Sequence, residues 1–509
     1  MKTDAEKLCE ALLENKNKDQ RIASLEQENS WLKRQVFGGK SERVEEASYG
    51  DSLQTELNLF DEPVETPGVK DAVTKEINHK RKQPKKKKNR NPIPDSIACE
   101  EIIIEPSEAE KKCSSCGSQK VEIGREENKV LDYIPAHFVA KNYIRPKYAC
   151  KCCPENGVVI ADTPNRPIDK GIAESGLLAY VAVSKYIDHL PLYRQSQIFG
   201  RYDVQIPRST MGGWIDKMHQ MLEPILFRMK EKMIASDYIQ ADETTIKVLK
   251  HSPENKTPKK NKPSKKLHQG YLWPYTDGEN IVFEYKDGRG REGPVEFLKN
   301  FDGWLQTDGY AGYNEVVKKN KITHIMCWAH ARRKFFDAKD YDKTRADLLI
   351  SEIKKLYSVE RDAHEICKSF EERAKLRKER STPILQNIKT ILEQFKREVL
   401  PQSPIGKAVN YSLNHWVQLT LYVENGKVEI DNNRIENKIR PVALGRKNWL
   451  FAGSKSGAER AALFYTIFGT CKIHGINPFD YLKDVLERIN QHPASKIDQL
   501  LPVEWGKLH

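Results

Sequence analysis

Asp242, Asp308 and Glu436 are the residues of this 509-residue chain whose types and settings could do chemistry together. Asp242 closes Tyr238-Ile-Gln-Ala-Asp242 and Asp308 closes Trp304-Leu-Gln-Thr-Asp308. Each run reads as a short strand that delivers a carboxylate where it gives out. In the stretch from Asp431 to Arg440, Asp431 or Asn432 can cap a helix on which Asn433, Glu436 and Arg440 recur at spacings of three and four and share a face. That face can present Glu436 to the two strand-end acids. Three converging carboxylates offer the oxygen ligands that Mg2+ or Mn2+ takes. Two such ions about 4 Å apart would activate a water or a 3′-hydroxyl and stabilise the leaving oxygen of a phosphodiester. The reaction class implied is phosphoryl transfer on nucleic acid. With 72 Asp and Glu in the chain, solvated surface acids are the competing reading.

The elements needed to position these acids are legible around them. Strands are expected at Tyr271–Tyr275, Ile281–Tyr285 and Ile322–Cys327. Helices are expected near Pro294–Phe301, Tyr313–Lys318 and through His330, Arg332, Arg333 and Phe335. The alternation predicts an α/β domain with a mixed sheet. Residues about 340–425, including Leu348–Cys367 and Phe370–Arg380, read as helices inserted between the second aspartate and Glu436.

Upstream, the chain changes character several times. Residues 5–37 read as a helix with Leu8, Ala11, Ile22, Leu25, Leu32 and Val36 on heptad positions, which predicts dimerisation; a lone amphipathic helix is the alternative. Residues 41–97 are polar and poor in aromatics, a flexible linker by composition. Cys113-Ser-Ser-Cys116 and Cys150-Lys-Cys-Cys153 supply four thiolates for a tetrahedral zinc site, with a redox dithiol as rival and Cys152 as a spare thiol. Leu192–Phe199, a turn, and Ile206–Ile215 read as a helix-turn-helix with Arg208, Ser209 and Thr210 at the head of a recognition helix.

Charge agrees with a polyanionic partner. The formal net charge is +13, and eight Lys and Arg fall within residues 79–90 without an acid, while six lysines fall within 256–266. Solvated linkers would carry the same runs. No apolar core follows Met1-Lys2 and no run approaches a membrane span, so neither secretion nor a membrane partner is expected, and the uneven cysteines suit a reducing cytoplasm.

Taken in order, these features resemble the transposases of the insertion sequence 66 family. The resemblance rests on Phe37-Gly-Gly-Lys-Ser-Glu-Arg43, the paired Cys-x-x-Cys, the helix-turn-helix and Asp242-Glu-Thr. It also rests on Gln306-Thr-Asp308-Gly-Tyr-Ala-Gly-Tyr313, Cys327-Trp-Ala-His330-Ala-Arg-Arg-Lys-Phe335, Asp431-Asn-Asn-Arg-Ile-Glu436 and Leu500-Leu-Pro-Val-Glu-Trp505. Asn437 and Gly39 depart from the pattern where a basic residue is expected. The resemblance implies an RNase H-like catalytic fold and a DDE triad on Asp242, Asp308 and Glu436. Its Cys-x-x-His element falls on Cys327 and His330, for which a structural or DNA-positioning role is expected. Arg332, Arg333, Arg440, Arg446 and Lys447 are candidate phosphate contacts; surface or salt-bridge roles compete.

The expected architecture is a multidomain α+β chain. It comprises a leucine-zipper-like coiled-coil helix (1–40), a basic linker (41–98), a four-cysteine zinc-binding module (99–165) and a helix-turn-helix region (166–235). An RNase H-like catalytic domain (236–475) carries the helical insertion, and a C-terminal tail follows (476–509). The expected function is DNA transposition with Mg2+ or Mn2+ and structural Zn2+. The expected partners are double-stranded DNA, a second copy of the chain and accessory proteins of the same element, at the bacterial nucleoid. A DNA-binding regulator with a silent catalytic domain is the alternative. A nuclease or resolvase that cuts without joining comes third.

Overall fold

A computed structural model describes residues 138–149, 158–160, 162, 164–169, 171–249 and 267–508. The readings placed on the dimerisation helix, the linker, Cys113, Cys116, Cys150, Cys153 and the lysine-rich loop lie outside the described residues. Strands β1 (Lys147–Ala149) and β2 (Val158–Ile160) pair antiparallel, with the second cysteine pair between them in sequence.

Three helices follow: α1 (Ser175–Tyr186), α2 (Leu192–Gly200) and α3 (Arg208–Ile234). Pro207 occupies the position before α3 and suits its start. Met211, Trp214, Ile215, Met218, Leu222, Ile225, Met229 and Met233 form one buried stripe along α3. The expected second helix of the helix-turn-helix is thus only the head of a 27-residue helix. Packing of the stripe carries it through Pro224, which removes one backbone hydrogen bond.

The sheet contains β3 (Tyr238–Ala241), β4 (Thr244–Leu249), β5 (Leu267–Thr276), β6 (Ile281–Lys286), β7 (Trp304–Thr307) and β8 (Thr323–Met326). Its order is β6, β5, β3 with β4, β7, β8; β5 runs antiparallel to its neighbours, and β3, β7 and β8 run parallel. β3 and β4 behave as one strand. Ala241 pairs Tyr275 and Thr244 pairs Leu272, so the register keeps step across Asp242 and Glu243, and the Asp242 N–H donates to the Pro274 carbonyl at 3.3 Å. Asp242 therefore sits within a continuing strand pair rather than where a strand stops. The missed signal was Thr244-Thr-Ile-Lys-Val-Leu249, in which buried Thr244, Ile246 and Val248 alternate with more exposed neighbours.

Helices α4 (Glu292–Phe297) and α5 (Asn314–Lys319) connect the later strands. Beyond β8 come α6 (Trp328–Asp337), α7 (Lys343–Ile366), α8 (Phe370–Glu398), α9 (Pro404–Asn414) and α10 (Trp416–Thr420). Asp342, Ser369 and Ser403 cap α7, α8 and α9, each side chain accepting a backbone N–H three residues on. The chain ends with α11 (Asn433–Trp449), α12 (Lys455–Ile473), α13 (Pro478–Arg488) and α14 (Pro502–Leu508). Within the tail, the Tyr481 hydroxyl donates to the Leu500 carbonyl and Trp505 Nε1 donates to Asp484, both at 2.7 Å.

Two apolar cores lie against the sheet. One joins α1–α3, α12, α13 and the tail to Ile239, Ala241, Ile246, Trp273, Phe283 and Leu305. The other joins α6–α10 to Tyr238, Ile325 and Met326. The architecture is mixed α+β. No helix among the described residues is long and apolar enough to cross a membrane.

Candidate active site

Side-chain parity sets up the site. Alternate residues of a strand face opposite ways. In β3, Ile239 and Ala241 enter the first core while Tyr238 enters the second; in β7, Leu305 enters the first while Trp304 packs on the second. Gln240 and Gln306 follow Tyr238 and Trp304 on the second face, and Asp242 and Asp308 are the next residues in that alternation. Since β3 and β7 are parallel with Gln240 opposite Gln306, continuing the register sets Asp242 beside Asp308.

Backbone geometry beyond β7 is equally constrained. The Tyr310 N–H donates to Asp308 Oδ1 at 2.8 Å, and the Tyr411 hydroxyl donates to the Asp308 carbonyl at 3.1 Å. Gly309 has φ +93°, and a Cβ there would stand 2.3 Å from Met326 Cε. Only glycine suits both demands.

The third acid is positioned by a clamp on residues 429–432. Gln306 Nε2 donates to the Glu429 carbonyl at 2.8 Å, and Gln240 Nε2 donates to the Asp431 carbonyl at 2.9 Å. The Tyr238 hydroxyl bridges Gln306 Oε1 at 2.5 Å and the Glu429 N–H at 3.2 Å. The Trp328 N–H donates to the Ile430 carbonyl at 3.2 Å. The Asn432 N–H donates to Cys327 Sγ at 3.2 Å, and Asn432 Nδ2 donates to the Ala241 carbonyl at 3.1 Å. Asn432 occupies the cap position of α11, but the capping carboxylate is that of Asp431, which accepts from the Asn433 N–H at 3.0 Å. Glu436 follows in the first turn of α11, half exposed, 3.9 Å from His330 Nε2.

The helical insertion holds the same segment from its other side. Arg373 of α8 contacts Glu429 Oε2 and Glu360 Oε2 at 2.8 Å each, and Arg434 of α11 contacts Glu429 Oε1 at 2.7 Å. Fully buried Arg377 donates to both Glu360 oxygens and to the Tyr422 and Asn425 carbonyls. Glu360, His364 and Glu429 bring potential metal ligands within 4.8 Å of one another. The Arg373 guanidinium already lies among them, with Nη2 3.1 Å from His364 Nε2, so the cluster has its cation.

Asp242, Asp308 and Glu436 stand further apart than that cluster, yet near enough to act on one another. Burial first, and then the charges of Glu243, Asp308 and Glu436, push the Asp242 carboxyl up to about 8 against the opposing hydrogen bond from the Glu243 N–H. Glu243 is also raised, by burial first and Asp308 next, while Arg289 opposes the shift through a 2.7 Å hydrogen bond. A cleft of 280 Å³ opens beside Asp308 and His330 and is lined by Arg289, Arg333, Lys334 and Tyr411. The Arg289 guanidinium lies over the Tyr310 ring at 4.3 Å and Lys334 over the Tyr411 ring at 4.5 Å. Anions and cations thus meet at one opening.

The structure brings Asp242, Asp308, Glu436, His330 and Arg333 to this region. Arg208 and Ser209 are exposed and Thr210 half-buried at the head of α3. Arg332 is half-buried in α6, whereas Arg440 and Lys447 are exposed on α11. Arg446 instead donates to the Thr245 hydroxyl at 2.7 Å and to the Thr245 carbonyl, which ties α11 to β4. Cys327 is buried, and burial followed by the charge of Asp431 pushes its thiol well above the usual range; its sulfur serves α11, as a structural role requires. Sequence reading missed Arg289, Lys334 and the glutamine pair. The repeated Gln-x-Asp in β3 and β7 was a visible signal for the last.

Comparisons with known proteins cover the chain in pieces. Residues 170–460 match the model described as transposase IS66 family and residues 466–503 the IS66 C-terminal element. Residues 110–154 match the zinc-finger binding domain of transposase IS66, and residues 24–102 a model described as transposase C of IS166 homeodomain. Two relatives come from Sinorhizobium fredii (strain NBRC 101917 / NGR234). "Uncharacterized protein y4jD" is 31% identical over 494 residues, covering 95% of each chain. "Uncharacterized protein y4qI" is 33% identical over 506 residues, covering 96% of this chain and 90% of its own.

Proposed function

This chain belongs to the IS66 transposase family, and from that premise we propose that it binds the ends of an insertion sequence, cleaves phosphodiesters there and joins the freed 3′-hydroxyls to target DNA. The observation that carries the chemistry is the adjacency of Asp242 and Asp308 on parallel strands, with Glu436 delivered by a clamped helix. An RNase H-like fold for the catalytic body is supported by the strand order β6, β5, β3, β7, β8, in which the last three strands are parallel.

The three acids fit a divalent site on chemical grounds. All are hard oxygen donors, and a cation would offset the burial, and then the neighbouring carboxylates, that push the Asp242 carboxyl up to about 8. When bound, Mg2+ or Mn2+ would activate the attacking oxygen and stabilise the leaving one. The chain's own residues do the rest. Asp242, Asp308 and Glu436 would hold the ions. Arg289, Arg333 and Lys334 line the cleft and draw the phosphodiester against them. Gln240, Gln306 and Arg373 hold residues 429–432, and with them the start of α11, in register with the sheet. Arg208, Ser209 and Thr210 meet DNA at the head of α3, and Arg332, Arg440 and Lys447 contact phosphates. Cys113, Cys116, Cys150 and Cys153, all inside the matched zinc-finger region, hold structural Zn2+ as four thiolates. The N-terminal helix supplies dimerisation, and the protein works in the bacterial cytoplasm at the nucleoid, with accessory proteins of its element.

The test incubates purified protein with a labelled duplex carrying the element's own end and Mg2+ or Mn2+, beside Glu436→Gln. Wild type should nick and join, and the variant should bind without doing either. Binding by both proteins with cleavage by neither would instead favour a DNA-binding regulator.

A further inference from the structure

A second opening, of 200 Å³, lies away from the acids, between the end of α1, the head of α3 and the start of α12. Lys185 and Arg460 line it together with Gly212, Trp449, Gly453 and Ser454. Arg460 is bound to Asp216 at 2.6 Å. Lys185 has no acid partner among the described residues; its contact is the Tyr186 ring, 5.3 Å from the ammonium. The ammonium is buried although part of the side chain stays exposed, and burial first, then Arg460, holds its pKa down to about 8. Arg460 has its anion in Asp216, so it is Lys185, a cation with no acid of its own beside a second cation, whose setting is unfavourable unless an anion joins it.

The walls supply what such an anion needs. Helix α12 is 19 residues long, and its start faces the opening at Ser454 and Gly457. Ser454 Oγ accepts the Gly457 N–H, while those of Lys455 and Ser456 belong to the unbonded first turn, where the helix dipole favours negative charge. Cβ atoms added at Gly212, Gly213 and Gly453 would meet nothing within 4 Å, so the glycines of the α3 head leave open space rather than fill a packing need. Arg208, at the first turn of α3, lies within one turn of Gly212.

We propose that this opening is a phosphate-binding site, and that it takes one backbone phosphate of the DNA held against the α2–α3 helices. The proposal rests on the transposase reading, since it assigns the phosphate to bound DNA. The phosphate is received by the Lys185 ammonium and Arg460, beside the start of α12, where Ser454 and Gly457 line the opening. Lys185 is a positioning contact for DNA, remote from the three acids.

The test measures affinity for the element's end duplex against salt, using the full chain as wild type, Lys185→Met and Lys185→Arg, each checked for folding by its thermal transition. Wild type should lose affinity steeply with salt. Lys185→Met should bind about tenfold more weakly at low salt with a slope lower by roughly one ion, and Lys185→Arg should restore the slope. In a second arm, inorganic phosphate at constant ionic strength should raise the melting temperature of wild type and not of Lys185→Met. Without any anion, Lys185→Met should melt higher than wild type, because it removes an uncompensated cation. Equal slopes for wild type and Lys185→Met overturn the proposal. A phosphate response without a change in DNA binding overturns it too, leaving a site for a free anion. Wild type that binds no end DNA overturns both this proposal and the transposase reading.

Discussion

At the scale of single residues, the glutamine pair is the most exposed to test. Gln306→Leu strands the Glu429 carbonyl and the Tyr238 hydroxyl in a buried setting, which should reduce stability by about 1–3 kcal/mol. Strand cleavage should fall by more than that loss explains, and Mg2+ should bind more weakly; unchanged metal affinity at reduced stability would assign Gln306 to the fold alone. Asp242 makes a pH prediction. Its folded pKa of about 8 lies above the ordinary carboxylate value near 4. Between about pH 4 and 8 the folded chain therefore holds a proton that the unfolded chain has released, so metal-free stability falls as pH rises through that window. Divalent ions need the ionised form, so their affinity should rise with pH until about 8. Metal-free thermal melts check the first across that range and calorimetric Mg2+ titrations the second; a flat affinity would remove Asp242 from the ligand set. Asp308 follows directly on the strand read for it, whereas Asp242 lies inside a strand pair that continues past it and Glu436 in the first turn of α11. Arg289 was not legible, since its partner Glu243 lies 46 residues away and nothing local marks the pair.

At the scale of elements, the insertion α7–α10 acts as a brace for α11. Arg373 joins Glu360 on α7 to Glu429 just before α11. Arg373→Ala leaves Glu360 to Arg377 alone and Glu429 to Arg434 alone, so its cost should stay below the about 3–5 kcal/mol of a buried charge that keeps no partner. Hydrogen exchange should quicken across residues 429–440 while β3 and β5 stay protected; uniform loosening would show a general rather than a local brace. The insertion was readable as helices from apolar periodicity, but its purpose was not, because Arg373 and Glu429 are 56 residues apart. The sheet shows the converse. β6 was anticipated nearly in full and β5 over its second half, while β4 was overlooked, and with it the continuity that places Asp242 within a strand pair.

At the scale of the whole molecule, zinc and sheet should behave as separable stabilities. Replacing Cys150 and Cys153 by Ser should abolish stoichiometric zinc in metal analysis and weaken binding to end DNA. The main thermal transition, which reports the two cores, should move little, since neither core takes a described residue from the matched zinc-finger region. The family and its zinc-finger region were legible in motif, but the union of α1–α3 with the sheet in one core was not, because it depends on a stripe that continues down α3. That union sets a dimension. At 1.5 Å per residue the 27 residues of α3 span about 40 Å, close to the rise of 12 base pairs. One helix thus runs from the exposed Arg208 and Ser209 to Met229 and Met233, in the core that also takes Ile239 and Ala241 of β3. Were DNA met at that head, as proposed, the interval between the bases met and the bond cut would be set by the length of this helix.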